Sequence, residues 1–179
     1  MREVVVVAHR PQWRDAFISE SAQLRPALAG LTVSIHHIGS TSVPGLCAKP
    51  VIDILIEVEA VSLLDTPEIT AQLARLGYSA RGENGIAGRR YFEKGGEDRT
   101  HQIHAFAGGS AGARRHLAFR DYLRAHPSVA DAYGQLKQRV ALGCDHDIVR
   151  YCQGKDAFIK LHEQRALAWI SARGQSAGG

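Results

Sequence analysis

HHIGSTSVPGLCAKPVIDILIEV, residues 36–58, is the stretch of the chain that most constrains its fold. The end of this stretch, Val51–Val58, is nearly all aliphatic, which is typical of a strand buried on both faces. The β-branched residues of Thr32–Ile38 predict a second strand, which ends at the turn-forming pair Gly39–Ser40. The residues between the two strands include prolines and a glycine, so they are expected to form a loop.

Asp53 lies inside the aliphatic strand. A carboxylate there is costly to bury unless it meets a cation, a hydrogen-bond donor or a solvent-filled cleft. The amides and hydroxyls of Ser40–Ser42 can grip phosphate oxygens, because Gly39 has no Cβ and its backbone can approach a ligand closely. We therefore predict a ligand pocket between this turn and Asp53. The alternative is a structural ion pair of Asp53 with Lys49 or with an arginine from another strand.

Working outward from this stretch, the chain divides into a strand-containing part and a helical part. Before Gly112 the predicted elements are a strand at Val4–Ala8, helices from Pro11 to Gly30 and at Pro67–Leu76, and a hairpin of Arg89–Glu93 with Thr100–Phe106. After Gly112 the predicted helices are Ala113–Ala125, Pro127 to about Leu142, and Ile148–Ser171, followed by a disordered tail, Gly174–Gly179.

These elements predict the α/β (α+β) class, with a mixed sheet, flanking helices and a C-terminal helical layer. Residues 1–173 are expected to form one domain, with the mixed sheet in about 1–110 and the helical part in about 113–173. A catalytic half with a separate helical lid is the alternative.

The composition is that of an ordinary globular protein, with 45% hydrophobic and 22% charged residues. Its net charge of +4 suits an anionic ligand, and the absence of basic stretches interleaved with aromatics argues against nucleic acid. The three cysteines form no ligand spacing and indicate a reducing compartment. The chain shows no signal-peptide pattern and no apolar stretch long enough to span a bilayer, so a cytoplasmic location is expected.

The spacing of Ile38-Gly39-Ser40 and Asp53 resembles the signature of the nucleotidyltransferase superfamily. The fuller string, residues 37–54, is similar to the GrpB family, and the resemblance extends from Trp13 to about Ile159. Further matches to that family are Arg99–His104, Leu117–Arg124, Tyr133, Leu136-Lys137, Tyr151 and Lys155. The resemblance implies a nucleotidyltransferase-like fold, in which the Gly-Ser turn holds a triphosphate and strand acids hold divalent metal.

The chain departs from the superfamily pattern at the metal acids. The second acid of the pair would stand at position 55, where this chain has Leu55, and the third is replaced by His101 or His104. Glu57 shares a strand face with Asp53 but lies near the expected strand end. Nucleotidyl transfer is disfavoured for this reason, since it uses several carboxylates to hold two cations. Any cofactor is expected to be one divalent cation, Mg²⁺ or Mn²⁺, bound by Asp53.

The candidate site combines residues from the whole chain. The candidate catalytic residues are Asp53, His101 and His104, of which only one histidine can face the pocket because strand residues three apart point to opposite faces. The alternative for either histidine is a packed, hydrogen-bonded side chain. The candidate ligand-binding residues are His37, Gly39, Ser40, Thr41, Lys49, Arg99, Arg120, Arg124, Tyr151 and Lys155. His37 is expected to support the turn by hydrogen bonding. The alternative for Arg120 and Arg124 is a polar helix–helix seam, with Asp121 pairing to one of them.

Two functions follow from these observations. The first is a nucleotidyltransferase-like protein that binds a nucleotide or another phosphate-containing small molecule. The second is a non-catalytic accessory domain that binds a partner protein or assists its folding. The second has a precedent in the resemblance, because a similar domain is fused to some dephospho-CoA kinases and is described as an aid to folding.

Overall fold

The structure, a computed structural model that describes residues 3–176, is built on a mixed sheet of five strands. In chain order the strands are β1 (Val33–Ile38), β2 (Ile52–Val58), β3 (Tyr78–Ala80), β4 (Arg90–Lys94) and β5 (His101–Ala107). Their order in the sheet is β1-β2-β5-β4-β3. The strand that carries Asp53, β2, pairs antiparallel with β1 and parallel with β5, so its interior position is confirmed.

Helices cover both faces of the sheet. They are α1 (Gln12–Ala27), α2 (Pro67–Arg75), α3 (Ala111–Ala125), α4 (Pro127–Gly143) and α5 (Ile148–Ser176). Short 3-10 turns occur at Ser40–Ser42 and Val61–Asp65. The mixed sheet with flanking helices and a C-terminal helical layer is therefore confirmed, as are the hairpin of β4 with β5 and the three helices after Gly112.

The period-two alternation of β2 decides which side chains face which helices. Ile52, Ile54 and Ile56 lie in the main core, which includes residues of α1 and α2. Leu55 points the other way and packs with Ile38, Phe106, Ala113 and Leu117, so that α3 lies directly over this face. Asp53 shares the α3 side of the sheet with Leu55. The polar carboxylate thus lies at the edge of the contact between the sheet and the helical layer.

The structure differs from the sequence analysis at the ends and edges of the fold. Val4–Ala8 forms only an isolated bridge between Val7 and Ala48, because Val4 is buried against Cys144 and Tyr151 of the helical layer instead of extending the sheet. The short strand β3 was not predicted.

The predicted disordered tail falls partly inside α5, which continues to Ser176. A single glycine weakens a helix by about 1 kcal/mol without ending it. Positions 177–179 of the tail lie outside the described residues.

The main core contains one buried acid with several partners. Glu20, on α1, is 5% exposed and accepts hydrogen bonds from the Tyr78 hydroxyl at 2.8 Å and the Lys94 ammonium at 2.9 Å. Burial alone would raise the pKa of Glu20, but the Lys94 and Tyr78 hydrogen bonds lower it below its ordinary value. The ionised form of Glu20 therefore stabilises the fold above its unfolded pKa, and this contribution is lost as pH falls through the folded pKa.

Replacing Glu20 with glutamine is expected to lower the free energy of unfolding at pH 7 by about 2 kcal/mol, because Lys94 loses its charged partner. Urea unfolding at pH 7 and at pH 4 checks this, and the difference between the two proteins should shrink at the lower pH. Glu68→Gln, at the exposed start of α2, is the control and should change stability by less than about 0.5 kcal/mol. Equal effects of the two substitutions would contradict the assignment.

Within residues 3–176, no helix combines the length and the apolar character needed to cross a bilayer.

Candidate functional site

A cleft of about 310 Å³ lies where the Ser40–Ser42 turn and β2 meet α3, α4 and α5. Eight of the predicted site residues line it, namely Gly39, Ser40, Thr41, Lys49, Asp53, Arg120, Tyr151 and Lys155. Its other polar lining residues are Gln102, His116, Tyr133, Lys137, Cys152 and Glu163. A cavity therefore lies between the turn and Asp53, and residues of α3, α4 and α5 complete its lining.

The turn reaches the strand closely because position 39 is glycine. Gly39 has φ +71°, a left-handed conformation that favours glycine, and a Cβ built there would lie 2.6 Å from Asp53 Oδ2. The approach was predicted to serve a bound ligand. In the structure, the space that a Cβ would fill is occupied by the Asp53 carboxylate itself.

The Asp53 carboxylate is already engaged by two side chains of β5. His104 Nε2 lies 3.1 Å from Oδ1. The Gln102 amide, oriented to satisfy both of its ends, donates to the same oxygen at 3.0 Å and accepts from Arg99 and the Tyr91 hydroxyl. Burial alone would raise the pKa of Asp53, but the His104 hydrogen bond and the nearby charges of His104 and Lys49 lower it. Asp53 is thus an ionised group that is fixed in position.

The two candidate histidines of β5 do face opposite sides of the sheet. His104 is on the side of Asp53, whereas His101 lies across the sheet with its Nε2 3.7 Å from Glu20 Oε2. His101 is therefore corrected from a candidate catalytic residue to a neighbour of the buried acid in the main core. His104 does not line the cleft, but it contacts Asp53, which does.

Position 55, where the superfamily pattern would place a second acid, is occupied by an apolar side chain in an apolar setting. Leu55 has 0% exposure and lies within the apolar contact between β2 and α3. Glu57 reaches the far end of the strand, where it meets His36 Nε2 at 2.9 Å and the amide of Gly109 at 3.1 Å. Within the described part of the chain, no group of three or more histidine, cysteine or acidic side chains is arranged to hold a metal ion. Asp53 and Glu163 are the two carboxylates that line the cleft.

Three lysines of the cleft lining lie against the rings of two tyrosines. The ammonium groups of Lys49 and Lys155 lie 5.4 and 4.3 Å from the centre of the Tyr151 ring, and that of Lys137 lies 4.8 Å from the centre of the Tyr133 ring. Tyrosine faces are electron-rich and stabilise such cations.

Lys137 is the residue that the sequence analysis missed as a site candidate. It is only 1% exposed, and burial, together with the charges of Lys155 and Lys49, lowers its pKa to about 7. Burial and the charge of Lys49 also lower the pKa of Lys155. A signal was present in the sequence, since Tyr133 and Lys137 are four residues apart and so share one face of α4.

His116 is a second residue that the sequence analysis missed. Its ring centre lies 5.4 Å from that of His104, and its Nε2 is buried without a hydrogen-bond partner among the described residues. Burial and the neighbouring charge of His104 lower the pKa of His116 to about 3, so the ring is neutral at physiological pH. It lines the cleft beside Asp53.

Three further candidates make hydrogen bonds at the end of β1 and the Ser40–Ser42 turn; of these, Arg120 lines the cleft, and His37 and Arg124 do not. His37 Nε2 is 2.8 Å from Thr41 Oγ1, which agrees with the expected hydrogen-bonding role of His37. Burial lowers the pKa of His37 to about 4. Arg120 donates to the carbonyl of His37, and Arg124 donates to that of Ser42. Arg120 also pairs with Asp121 at 2.9 Å.

Arg99 lies outside the cleft. It pairs with Glu93 at 2.8 Å and reaches the site only through Gln102. Of the predicted ligand-binding residues, therefore, His37, Arg99 and Arg124 do not line the cleft.

Comparison with known proteins gives close relatives along almost the entire chain. It is 43% identical over 177 residues to the UPF0157 protein YqkA of Bacillus subtilis, which covers 99% of this chain and 51% of that protein. It is 26% identical over 194 residues to a dephospho-CoA kinase of Mycolicibacterium paratuberculosis, covering 96% of this chain and 48% of the kinase. The chain thus spans about half the length of each of these two relatives.

Solved structures give a similar result. The crystal structure of the conserved protein GrpB from Enterococcus faecalis superposes with a TM-score of 0.87 and 40% identity, over 93% of this chain and 99% of that one. The poly(U) polymerase Cid1 is a distant likeness, with a TM-score of 0.48 and 12% identity over 74% of this chain. A score and an identity this low establish no shared activity. The family model described as GrpB protein matches residues 3–165. The chain belongs to the GrpB family.

Proposed function

We propose that the cleft binds a nucleotide or another phosphate-containing small molecule. The observation that carries this proposal is the charge of the lining, in which Lys49, Arg120, Lys137 and Lys155 face only two acids, Asp53 and Glu163. Asp53 is already engaged by His104 and Gln102, so it offsets the cations only in part.

The crowding of the lysines supports the same conclusion. Burial and mutual repulsion favour the neutral form of Lys137, and they lower the pKa of Lys155 as well. A phosphate placed among these ammonium groups would relieve the repulsion and would accept charge-assisted hydrogen bonds, which are about twice as strong as neutral ones. The cleft volume of about 310 Å³ lies near the lower end of the range of small-molecule sites, which begins at roughly 300 Å³.

The turn supplies the neutral donors that would orient the phosphate. Ser40 and Thr41 line the cleft, as does Tyr133 of α4. Burial raises the pKa of the Tyr133 hydroxyl, so this group remains a proton donor. Hydroxyl and amide groups at such a turn can contact phosphate oxygens that the lysines attract.

The proposed role is binding, with nucleotidyl transfer weak at most. Transfer must stabilise charge on the attacking oxygen, the α-phosphate and the leaving pyrophosphate, which normally takes two cations. Leu55 stands buried in apolar contacts where a second acid would be needed. We propose that any cation is single, contacts Asp53, and is better satisfied by Mn²⁺ than by Mg²⁺, since His116 offers a nitrogen beside Asp53.

Isothermal titration of the purified protein with ATP, CTP, GTP, UTP and dephospho-CoA, each with and without metal, tests the binding proposal. Lys155→Gln is expected to raise the dissociation constant of a binding nucleotide about tenfold, because one charge-assisted contact is worth about 1.5–3 kcal/mol. Lys160→Gln is the matched control on the same helix, and its side chain is 72% exposed. Binding that is indifferent to Lys155→Gln, or absent across the panel, would remove the proposal.

The role of Asp53 is tested separately by Asp53→Asn. Phosphate binding is expected to survive this substitution or to tighten, because the change removes a negative charge from the lining while asparagine keeps an oxygen for His104 and Gln102. Pyrophosphate release from labelled nucleotides, measured with Mg²⁺ and with Mn²⁺, is expected to be negligible for both proteins. Robust release that Asp53→Asn abolishes would show instead that the single acid supports transfer.

A second candidate function is that of a non-catalytic accessory domain for a partner protein. The observation that favours it is the exposed apolar pair Leu142 and Val149, 87% and 59% exposed, at the adjoining ends of α4 and α5. Similarity to about half of a dephospho-CoA kinase makes such a kinase domain the natural partner to try. In this case, Leu142→Ser with Val149→Ser should weaken co-elution with a dephospho-CoA kinase domain and leave nucleotide binding unchanged.

A further inference from the structure

A second cavity, of about 720 Å³, adjoins the cleft on the side of α1. It shares Thr41 and Arg120 with the cleft, but its other lining residues are different. Its basic side chains are Arg14 of α1, Arg120 and Arg124 of α3, and three histidines, His9, His36 and His37.

The positive charge of this cavity is largely uncompensated. None of its lining residues is acidic. Arg120 pairs with Asp121 and His36 with Glu57, but within residues 3–176 neither Arg14 nor Arg124 forms an ion pair. The pKa of Arg124 is lowered by burial and by the charges of Arg120 and Arg14, and Asp121 opposes this only in part. Guanidinium groups that line one cavity can match the oxygens of a phosphate or a carboxylate.

The cavity also has an apolar wall. Phe17 stacks on His37 with ring centres 4.9 Å apart and planes 11° apart. Ile18 is 52% exposed, and Ile35 and Pro44 complete the wall. A bare inorganic ion would leave these surfaces in water, whereas a ligand with an aromatic or apolar body would cover them.

We propose that this cavity is a second anion-binding site, built for a phosphate or carboxylate group that is attached to an aromatic or apolar body. Arg14 and Arg124 hold the anionic group, and the wall formed by Phe17 and Ile18 holds the body. The proposal goes beyond the nucleotide site and does not depend on it. Because Arg120 and Thr41 line both cavities, occupancy of one is expected to alter the affinity of the other.

The two tryptophans of the chain offer a direct readout. Trp13 makes an edge contact with His9, a lining residue, with ring centres 5.1 Å apart. Trp169 packs instead against Tyr122 and His126 in the helical layer. In the full chain labelled with ¹⁵N-tryptophan, phenyl phosphate is expected to shift the Trp13 indole signal saturably and to leave that of Trp169 in place.

Four probes define the ligand class. Phenyl phosphate and benzoate should each bind about fivefold or more tightly than inorganic phosphate, since only they cover the apolar wall, and benzyl alcohol should not bind. The tighter of the two aromatic anions identifies the preferred anionic group. Failure of both aromatic anions to shift Trp13 up to 10 mM, as an order-of-magnitude limit, would overturn the proposal.

The arginines are tested by substitution. Arg14→Gln, at an exposed position, should weaken phenyl phosphate binding about threefold, and the double variant with Arg124→Gln about tenfold or more. Arg124→Lys, which keeps the charge without the planar fork, should lie between the wild type and the double variant. Arg10→Gln removes an exposed arginine that does not line the cavity, and it should change the affinity by less than about twofold. Equal affinities of the double variant and Arg10→Gln would also overturn the proposal.

The same variants separate this inference from the proposed function. Lys155→Gln should weaken nucleotide binding in the cleft without weakening the Trp13 response to phenyl phosphate. If only the arginine variants weaken binding of their probe, the second site is supported and the nucleotide site is rejected. If only Lys155→Gln weakens binding, the nucleotide site is supported and the second site is rejected.

Discussion

Lys137→Met is expected to make the protein more stable and its anion affinity weaker. Lys137 is 1% exposed, and its pKa is lowered from 10.5 to about 7. At or below pH 7 the wild-type protein keeps Lys137 charged in this buried position, and this lowers its free energy of unfolding by as much as about 5 kcal/mol. Methionine is apolar and of similar length, so it can keep the packing against Tyr133. We expect the free energy of unfolding at pH 7 to rise by about 3 kcal/mol.

The sign of the pH dependence follows from the same shift. Between about pH 7 and pH 10.5 the unfolded chain holds a proton on Lys137 that the folded protein does not hold, so the stability of the wild type should rise with pH over this window. The methionine variant should lack this contribution to the slope. Urea unfolding at three pH values across the window measures this slope. Lys160→Met, at an exposed position of α5, is the control and should change it little.

The affinity for a phosphate ligand should fall at least about tenfold in Lys137→Met, through the loss of one buried charge-assisted contact. Below neutral pH the wild-type lysine is charged and ready to bind, and above it a bound anion must draw a proton onto it. Titration calorimetry at pH 8 in two buffers of different ionisation enthalpy should therefore detect proton uptake in the wild type and less in the variant. A variant that is less stable than the wild type and binds equally well would contradict both expectations.

Gly39→Ala is expected to destabilise the protein by about 3 kcal/mol. Part of this arises from the backbone conformation of Gly39, φ 71° and ψ −175°, which is almost restricted to glycine and costs another residue about 1–3 kcal/mol. The rest arises because the new Cβ would lie 2.6 Å from Asp53 Oδ2 and 3.0 Å from Asp53 Cβ, so either the turn or the carboxylate must move. Movement of Asp53 would strain its contacts with His104 and Gln102.

Gly45→Ala is the matched control, because Gly45 has a similar φ of +79° but nothing within 4 Å of a built Cβ. It should lose only the conformational part, about 1–2 kcal/mol. The double variant Gly39→Ala with Asp53→Ala should be more stable than the sum of the single changes predicts, since removing the carboxylate relieves the clash. Equal losses in Gly39→Ala and Gly45→Ala, with additive behaviour in the double variant, would show that the contact with Asp53 is unimportant.

Much of the fold could be predicted from local patterns. The aliphatic run around Asp53 predicted an interior strand, and the helical periodicity after Gly112 predicted α3, α4 and α5. The errors lie where local pattern is weak. Val4–Ala8 has the composition of a strand but contributes only the Val7–Ala48 bridge, because Val4 and Val6 pack against the helical layer. The strand β3 has three residues, too few for a period-two pattern to be recognised.

The sequence by itself determined the turn at Gly39–Ser40, the place of Asp53 on an interior strand, and the opposition of His101 and His104, because each follows from spacing along one strand. Only the tertiary structure decided which of the two histidines meets Asp53, since that depends on the register of β5 against β2.

The tertiary structure alone also decided that Lys137 is buried in the cleft and that Arg14 and Arg124 line the same second cavity. A lysine or an arginine on an amphipathic helix has the same local pattern whether it ends in water or in a cleft. Its surroundings are supplied by residues distant in the chain, and these surroundings set its burial, its charge state and its chemistry.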